Sequence, residues 1–353
     1  MSKRLQKSRP RHVGVLEVAA LAGCSTASVS RVLNQPEAVG DELTSRVHAA
    51  MRKLGYMPNS AARTLRSRRS HIMGIVIPTL DYAIYARLVE GLQQQLAERG
   101  HSLLVATSEY DLVHEAEHAR LLMERGVDGL VLIGDTHRPE LYRLLETTRL
   151  PYVNTYVYRE NGAHPSIGFD NRRMTSEITD FLWGLGHRAF GVISASTTDN
   201  DRASERVAGV KDALERHGSS LLREAVYEHP YSIASGREGF RYLRTLGSPP
   251  TAIICGNDVL AMGALIEAHA LGVKVPEDVS IVGFDNLEFA SHLDPPLTTV
   301  DVPAREMGTH AADFLVQRVM GQSAPQSMLL EPRLIVRRTS ANAPTHKAFT
   351  RRA

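Results

Sequence analysis

The stretch that decides the fold is CSTASVSRVLNQPEAV, residues 24–39. Residues 26–33 predict a short helix, and Ser25 suits its N-terminal cap because a serine hydroxyl accepts hydrogen bonds from free backbone N–H groups of the first turn. Pro36 cannot continue a helix, so it marks the end of the segment. One face of the helix is apolar and consists of Val29, Val32 and Leu33. The other face carries small or polar side chains: Thr26, Ala27, Ser28, Ser30, Arg31 and Asn34.

Helical patterns flank this stretch on both sides. Upstream, VGVLEVAALAG (residues 13–23) has helical apolar spacing at Val15, Val18, Ala19 and Ala22 and ends at a glycine. Downstream, residues 41–54 predict a third helix. Its inward side is expected to hold Leu43, Val47, Ala50, Met51 and Leu54. Two short helices joined by a tight turn and braced by a third form a helix-turn-helix, whose second helix can enter the major groove of DNA. An ordinary three-helix bundle with a polar face is the alternative.

The segment GYMPNSAARTLRSRRS, residues 55–70, is basic and conditionally helical. Asn59 can cap a helix there, and Leu65 has four arginines close to it in sequence. A helix this short is not stable alone in water, so it would fold only against a partner. A leucine on such a helix can wedge between base steps in the minor groove and kink the duplex. The alternative for Leu65 is an idle linker residue.

Charge is distributed unevenly along the 353 residues. The chain carries a net +2, but residues 1–71 hold thirteen Lys and Arg against four acidic residues, which makes +9 and leaves −7 for the remainder. A basic head on an acidic body suggests that only the head meets a polyanion; the alternative, a solvated basic tail, suits residues 1–11 alone. Two cysteines fit a reducing compartment. With no secretory signal or long apolar run, we expect a cytoplasmic, nucleoid-associated protein.

From residue 72 onward, short apolar runs alternate with amphipathic helices. The pattern IMGIVIP, SLLVAT and DGLVLI restarts after SIGFDN with FGVIS, AVYE, TAIICGND and VSIVGFDN. Such alternation is typical of doubly wound parallel sheets. We therefore predict an α/β core of two Rossmann-like subdomains with a cleft between them. The segments PLTTVDVP (residues 296–303) and RLIVRR (residues 333–338) are expected to cross between the halves.

The head resembles the lac-repressor (LacI) family of bacterial transcription regulators. The resemblance rests on LEVAALAGCSTASVSRVLNQPEAV followed by LGYMPNSAARTL, with the motifs in order and at the family's distances. The core layout resembles periplasmic sugar-binding proteins, to which the family core is related. Gly14 and Cys24 depart from the family's usual Thr and Val. The resemblance implies base reading by Thr26 and Ala27 and phosphate or groove contacts by Ser28, Ser30 and Arg31. It further implies DNA roles for Asn34 and Tyr56, and for Asn59, Ala62 and the intercalating Leu65 of the hinge.

The resemblance also sets the expected domain boundaries. These are a helix-turn-helix domain at 12–58, a hinge helix and linker at 59–70, a core at 71–340 and a flexible tail at 341–353. Within the core, one subdomain is expected at about 71–170 and 302–331, and the other at about 171–297 and 332–340.

Ligands of open parallel sheets bind beyond the carboxyl ends of the strands, so polar residues there are candidates for a binding site. The resemblance implies that Arg206, Asn257 and Asp285 hold hydroxyls or a carboxylate of an effector and that Tyr231 stacks on it. Tyr85, which can line the other wall, and Asp170 at the end of SIGFDN are further candidates. Each has a structural alternative, because Asp and Asn after a strand commonly cap helices and Arg206 can pair with an acid.

We find no argument for catalysis. GDTHRPELY (residues 134–142) permits a metal or catalytic interpretation, but we favour a strand-to-helix loop capped by Thr136, and no HExxH, GxSxG or phosphate-binding GxxxxGK[ST] motif occurs. The sequence predicts no cofactor, no metal and no catalytic residue. It predicts a homodimeric repressor that binds a palindromic operator in double-stranded DNA. A small polar metabolite (a sugar, sugar acid or nucleoside) would control it by induction or corepression. A solute-binding protein without DNA binding and an enzyme with an unrecognised site are the alternatives.

Overall fold

The computed structural model describes residues 13–35, 38–57 and 69–344, without the side chain of Asn34. The chain divides into two compact units, residues 1–70 and 71–353, here called the head and the core.

Three short helices pack around one apolar cluster in the head. They are α1 (Val15–Ala22), α2 (Thr26–Asn34) and α3 (Asp41–Leu54). Gly14 begins α1, and its backbone N–H donates to the Glu17 carboxylate at 2.9 Å. Gly23 ends α1 in the left-handed conformation, which glycine adopts at little cost. Val18, Val29 and Val47 are fully buried between the three helices, with the partly buried Cys24 against them. The helix-turn-helix prediction is confirmed, including its buried stripe.

The first subdomain of the core is a six-stranded, wholly parallel sheet in the order β11-β5-β4-β3-β1-β2. Its strands are β1 (Ile72–Ile77), β2 (Ser102–Thr107), β3 (Gly129–Ile133), β4 (Tyr152–Thr155), β5 (Ser166–Gly168) and β11 (Ser327–Leu329). Its helices are α4 (Ala83–Glu98), α5 (Leu112–Glu124), α6 (Pro139–Thr148) and α11 (Ala304–Val319). Five of the six strands come from residues 72–168, and the last returns from far along the chain.

The second subdomain is a four-stranded parallel sheet in the order β7-β6-β8-β9. Its strands are β6 (Phe190–Ser194), β7 (Val226–Glu228), β8 (Ala252–Cys255) and β9 (Ser280–Val282). Its helices are α7 (Asn171–Gly184), α8 (Asp201–Arg216), α9 (Ile233–Thr245) and α10 (Asp258–Ala270). Two parallel sheets with helices on their faces are the predicted fold class, which is confirmed.

Two strands connect the subdomains, as the sequence predicted. β10 (Thr299–Asp301) leads from the second subdomain to α11, and β12 (Arg333–Ile335) leads back from β11. They pair antiparallel, with Val300 opposite Leu334. The returning chain is then fixed to the second subdomain, where the backbone N–H of Ile281 donates to the carbonyl of Thr339 at 2.8 Å.

Helices within each subdomain approach one another at glycines. A methyl group added to Gly91 of α4 would lie 2.2 Å from the carbonyl oxygen of Arg305, and one added to Gly308 of α11 would lie 2.2 Å from that of Leu88. Gly236 and Gly263 repeat this arrangement between α9 and α10, with the same distance of 2.2 Å to the facing carbonyls. The close approach brings backbone against backbone, so these positions leave no room for a side chain.

Among the described residues, no single helix has the length and apolarity to cross a membrane. One pair bent by 100°, Val15–Ala22 with Thr26–Leu33, meets the length and composition criterion only when the two helices are joined.

Candidate functional site

The outer face of α2 presents the side chains that the sequence predicted to meet DNA. Ala27 and Arg31 are exposed, and Thr26, Ser28 and Ser30 are partly exposed. Ser25 caps the helix: its hydroxyl accepts from the backbone N–H of Ser28 at 3.0 Å and lies 2.9 Å from the Ser28 hydroxyl. One face thus offers a methyl group, hydroxyls and a guanidinium, which are the chemical groups that read base edges and hold phosphates.

Of the other residues predicted to contact DNA, only Tyr56 has a side chain among the described residues. Tyr56 is partly buried and packs against the apolar cluster of the head, so it also serves the fold. The side chain of Asn34 and the hinge residues Asn59, Ala62 and Leu65 lie outside the described residues.

A cavity lies between the two subdomains of the core. Side chains from both halves line it: Tyr82, Ile84, Tyr85, Tyr110 and Tyr156 from the first, and Asn200, Arg202, Arg206, Tyr231, Asn257 and Asp285 from the second. Its volume is about 380 Å³. The cleft is closed in this structure, since the Tyr82 hydroxyl of the first subdomain donates to the backbone carbonyl of Tyr231 in the second.

Arg206 extends from α8 into this cavity and is 8% exposed. Its Nε donates to Oδ1 of Asn171 at 2.9 Å, and its Nη1 donates to the carbonyl of Gly256 at 2.6 Å. The guanidinium carbon lies 3.7 Å from the centre of the Phe284 ring. This cation–π contact also fixes the orientation of the guanidinium group. Within the described part of the chain, no carboxylate pairs with Arg206 and its Nη2 has no hydrogen-bond acceptor. The guanidinium group is therefore fixed in position, and the N–H donors on its Nη2 remain available to a ligand.

Asp285 faces the same cavity from the loop after β9. It is 5% exposed and has a positive φ of 112°, a backbone conformation that side-chain-bearing residues rarely adopt. Burial raises the pKa of its carboxyl group to about 8, although the charge of Arg206 acts in the opposite direction. No hydrogen bond to its carboxylate is found among the described residues, so the acceptor oxygens are available to a ligand.

Asn257 serves two purposes at once. Its Oδ1 accepts from the backbone N–H of Leu260 at 2.9 Å and caps α10, as the structural alternative proposed. Its side chain nonetheless lines the cavity, and no described residue accepts a hydrogen bond from its amide nitrogen. Capping fixes the orientation of this side chain and leaves its donor for the cavity.

Tyrosines form most of the first subdomain's wall. The predicted Tyr85 is buried, and burial raises its pKa to about 12. Its hydroxyl lies 3.3 Å from that of Tyr110, whose ring centre is 5.8 Å from that of the predicted Tyr231. Tyr82 lies edge-on to Tyr231, with 6.0 Å between ring centres. The cavity thus combines flat aromatic walls with a few polar groups, which is the usual composition of a small-molecule site.

Sequence reasoning missed several lining residues, although its own rule could have found them. Tyr82, Tyr110 and Tyr156 follow β1, β2 and β4 respectively, while Asn200 and Arg202 follow β6. All of them lie beyond the carboxyl ends of parallel strands. The predictions for the first subdomain were limited to Tyr85 and Asp170, so most of that wall went unnoticed.

Asp170 is not brought to the cavity. It is exposed and caps α7 by accepting from the backbone N–H of Arg173 at 2.9 Å. The next residue, Asn171, faces inward instead. Its Nδ2 donates to the carbonyl of Tyr156 at 2.8 Å and its Oδ1 accepts from Arg206. The predicted contact between Asp170 and an effector is therefore corrected: strand-end position alone does not determine which of two adjacent polar residues faces the cleft.

The segment 134–142 has a structural explanation. His137 is buried, with Nδ1 2.6 Å from the Glu115 carboxylate and Nε2 3.0 Å from the carbonyl of Gly134. No group of three or more His, Cys, Asp or Glu side chains suited to a metal ion occurs among residues 13–35, 38–57 and 69–344. The loop precedes α6, which begins at Pro139.

Comparison with known protein families gives matches to two separate parts of the chain. Residues 15–59 match the family model for bacterial regulatory proteins of the lacI family, and residues 179–340 match that of the periplasmic binding protein-like domain. The HTH-type transcriptional repressor CytR of Escherichia coli strain K12 is 30% identical over 330 residues, covering 93% of this chain and 96% of the relative.

Two solved structures are similar over nearly the whole chain. The Lac repressor dimer bound to operator and the anti-inducer ONPF superposes with a TM-score of 0.84 at 27% identity, covering 94% of this chain and all of that one. The CelR–cellobiose complex, also a transcriptional regulator, superposes with a TM-score of 0.69 at 29% identity and the same coverage.

A helix-turn-helix head joined to a two-lobed α/β core with an internal cleft defines a DNA-binding transcriptional regulator. The identity to CytR across nearly all of both chains makes the assignment specific. The chain belongs to the LacI family. Its relatives here are transcriptional regulators, a class of protein that is not enzymatic.

Proposed function

We propose that this regulator is a repressor whose operator affinity is controlled by a small polyhydroxylated molecule bound in the cleft of the core. One observation carries the proposal: Arg206 and Asp285 face the same buried cavity, each with unused hydrogen-bonding capacity and without pairing to each other. A hydroxyl group can accept from a guanidinium and donate to a carboxylate, so a diol bridges the two residues.

The walls of the cavity agree with a ring-shaped, polar ligand. Tyr85, Tyr110 and Tyr231 supply flat apolar surface with a hydroxyl at the edge, which suits a molecule with apolar ring faces and polar substituents. Asn257 adds a donor fixed by its capping role. Sugars, sugar acids and nucleosides share these features. CelR, whose structure holds cellobiose, shows that a relative with this fold binds a carbohydrate.

On the DNA side, α2 enters the major groove. Ala27 offers only apolar contact, for instance to a thymine methyl group, while Thr26, Ser28, Ser30 and Arg31 hold base edges or phosphates. Two copies of the chain bind a two-fold symmetric operator. The related Lac repressor was likewise solved as a dimer bound to operator. Leu65 is the lever that inserts into the minor groove at the centre of the site.

The effector acts by its different affinity for two arrangements of the core, since a ligand that binds both equally shifts nothing. Couplings of about 1–3 kcal/mol are typical and correspond to roughly 5- to 150-fold in operator affinity. CytR is a transcriptional repressor, which favours repression rather than activation of transcription by this chain as well.

The test replaces Arg206 with alanine and uses Arg172→Ala as the matched control. Arg172 lies in the same subdomain but pairs with Asp212 away from the cavity. Thermal-shift screening with a panel of mono- and disaccharides, sugar acids and nucleosides identifies ligands of the parent protein. A gel-shift assay with genomic fragments then measures DNA affinity with and without them.

We expect Arg206→Ala to bind operator within about twofold of the parent and to lose the response to the ligand, because the fork that holds the hydroxyls is gone. Arg172→Ala should keep both. A normal ligand response in Arg206→Ala would remove this residue from the site. A parent protein that binds no duplex at low ionic strength would favour the solute-binding alternative.

A further inference from the structure

We propose that an ionic latch beside the effector cavity, made by Asp135 and Arg159 of the first subdomain and Asp201 and Glu205 of the second, holds the cleft closed and sets how readily it opens. The effect on regulation rests on the proposed function. The latch itself concerns only the two subdomains and can be tested with no effector present.

The latch crosses the cleft through consecutive short contacts. Nε of Arg159 donates to the Asp135 carboxylate at 2.5 Å, and its Nη2 donates to Glu205 on α8 at 3.3 Å. The backbone N–H of Asp135 donates to the carboxylate of Asp201, also on α8, at 3.0 Å. Arg159 therefore bonds to one carboxylate from each subdomain. Beside it, the separate hydrogen bond from Asp135 to Asp201 also joins the loop after β3 to α8.

Arg159 is firmly attached to the first subdomain. Its backbone N–H donates to the hydroxyl of Ser166 on β5 at 3.2 Å, and its carbonyl accepts from the hydroxyl of Ser327 on β11 at 2.8 Å. Because two strands of one sheet fix its backbone, the side chain spans the cleft from a rigid base. Its contact with Glu205 must break when the subdomains separate.

A glycine permits the two elements to meet. Gly134, between β3 and Asp135, has a φ of +89°, and a methyl group added to it would lie 1.8 Å from Nη1 of Arg202 and 2.5 Å from Oδ1 of Asp201. Nη1 of Arg202 donates across the cleft to the carbonyl of Ile133 at 3.0 Å. It also donates to the carboxylate of its neighbour Asp201 at 2.7 Å. The first turn of α8 therefore rests directly on the loop after β3, with no space for even a β-carbon.

The latch is separate from the ligand-binding groups. Asp135, Arg159, Asp201 and Glu205 do not line the cavity; the neighbouring Arg202 does line it, and Arg202 is not part of the latch. Arg159 is thus a positioning residue, and its replacement changes the closure of the cleft without removing a ligand contact. The side chains of Arg159, Asp135 and Glu205 are 41%, 22% and 27% exposed. Water can therefore solvate these charges when the two subdomains separate, so the contact can open.

The experiment measures the distance between the subdomains in the full chain without added ligand. Spin labels are placed on cysteines at Glu117 of α5 and Glu215 of α8, both exposed. Cys24→Ser removes the partly exposed native thiol, and Cys255 is fully buried. Distance distributions from double electron–electron resonance are compared for the parent, Arg159→Ala, Arg159→Lys and Gly134→Ala.

Two controls match these variants. Arg172→Ala removes an ion pair of similar geometry that lies wholly within the second subdomain. Gly218→Ala places a side chain on a glycine with a φ of +70° and open space around it, so it reproduces the backbone cost of Gly134→Ala without the collision.

We expect a narrow distribution for the parent and both controls. Arg159→Ala and Gly134→Ala should show at least a threefold larger fraction of separated subdomains, with Arg159→Lys in between because lysine keeps the charge but not the two-pronged fork. A distribution for Arg159→Ala that matches Arg172→Ala would overturn the latch, whatever Gly134→Ala does to folding.

A second measurement separates the latch from its regulatory effect. Operator affinity of each variant is measured without ligand, and a change of at least threefold in Arg159→Ala relative to Arg172→Ala is expected. Unchanged affinity in a variant whose cleft has opened would overturn the coupling. If no compound of the panel of sugars, sugar acids and nucleosides binds the parent, the proposed effector class is wrong, but the distance measurement still decides the latch.

Discussion

At the scale of single residues, Asp285 shows how burial links ligand binding to protons. Its carboxylate is surrounded by protein and finds no hydrogen-bond donor among the described residues, so the neutral form is favoured and the pKa rises to about 8. The buried Asp258 nearby contributes to this rise, and its own pKa is raised to about 7. A hydroxyl that donates to Asp285 favours the ionised form instead. Binding of the proposed effector near neutral pH should therefore release a proton.

This burial predicts that the core without ligand is less stable at higher pH. A folded pKa above the ordinary value of 3.8 means that the stabilisation is complete below about pH 4 and is lost as pH rises toward 8. Across that window each unit of pKa shift corresponds to about 1.4 kcal/mol. Thermal melting between pH 5 and 8 should show a falling Tm, and Asp285→Asn should flatten the slope but leave the share due to Asp258. The same slope in parent and variant would contradict the argument.

The position of a residue along the sequence predicted whether it lies near the cavity. It did not predict whether the side chain faces the cavity. Arg206, Tyr231, Asn257 and Asp285, which the strand-end rule and the family resemblance together suggested, all line the cavity, because parallel strands bring their carboxyl ends together. The strand-end rule failed for Asp170, where two polar residues follow one strand and the first is used as a helix cap. Side-chain direction within a turn depends on neighbours distant in sequence, and no local pattern contains that information.

At the scale of elements, the helices and strands with strong periodicity were predictable almost to the residue. The strand FGVIS is β6, and the helices predicted at residues 26–33 and 41–54 are α2 and α3. The strand order was not predictable in the same way. β11 pairs with β5 across about 160 residues of chain, and such a pairing depends on the whole subdomain having formed. Local patterns identify the elements, while their arrangement in the sheet follows from packing.

The glycines at helix crossings give a prediction at this scale. Gly91→Ala should destabilise the core by about 1–3 kcal/mol, since the added methyl group meets the Arg305 carbonyl at 2.2 Å and the α4–α11 pair must move apart. Gly184→Ala, at the end of α7 with open space around it, is the matched control and should be neutral or slightly stabilising. Urea unfolding followed by circular dichroism measures both. Equal midpoints for the two variants would show that α4 and α11 tolerate a wider spacing.

At the scale of the whole molecule, function is divided along the chain as charge is. The first 70 residues carry +9 and the remaining 283 carry −7, and the boundary between the two compact units falls between Ser70 and His71. A polyanion attracts the first unit and repels the second, so DNA affinity should reside in the head. The proposed ligand cavity is lined by residues of the core. Under the proposed function, each unit therefore holds one of the two binding activities, and regulation requires both.

The fragment of residues 71–353 should therefore fold, keep the ligand-induced rise in Tm of the full chain and lose DNA binding. Its apolar core and both parallel sheets are complete without the head, which supports independent folding. With a net charge of −7 it lacks even the salt-sensitive, sequence-independent attraction to DNA that basic side chains provide. Fluorescence anisotropy with a labelled duplex at 50 mM and 200 mM salt compares the fragment with the full chain. The full chain should bind and weaken steeply with salt, whereas the fragment should bind at neither concentration. Duplex binding by the fragment would place part of the DNA-binding surface in the core and would contradict the division of function between the two units.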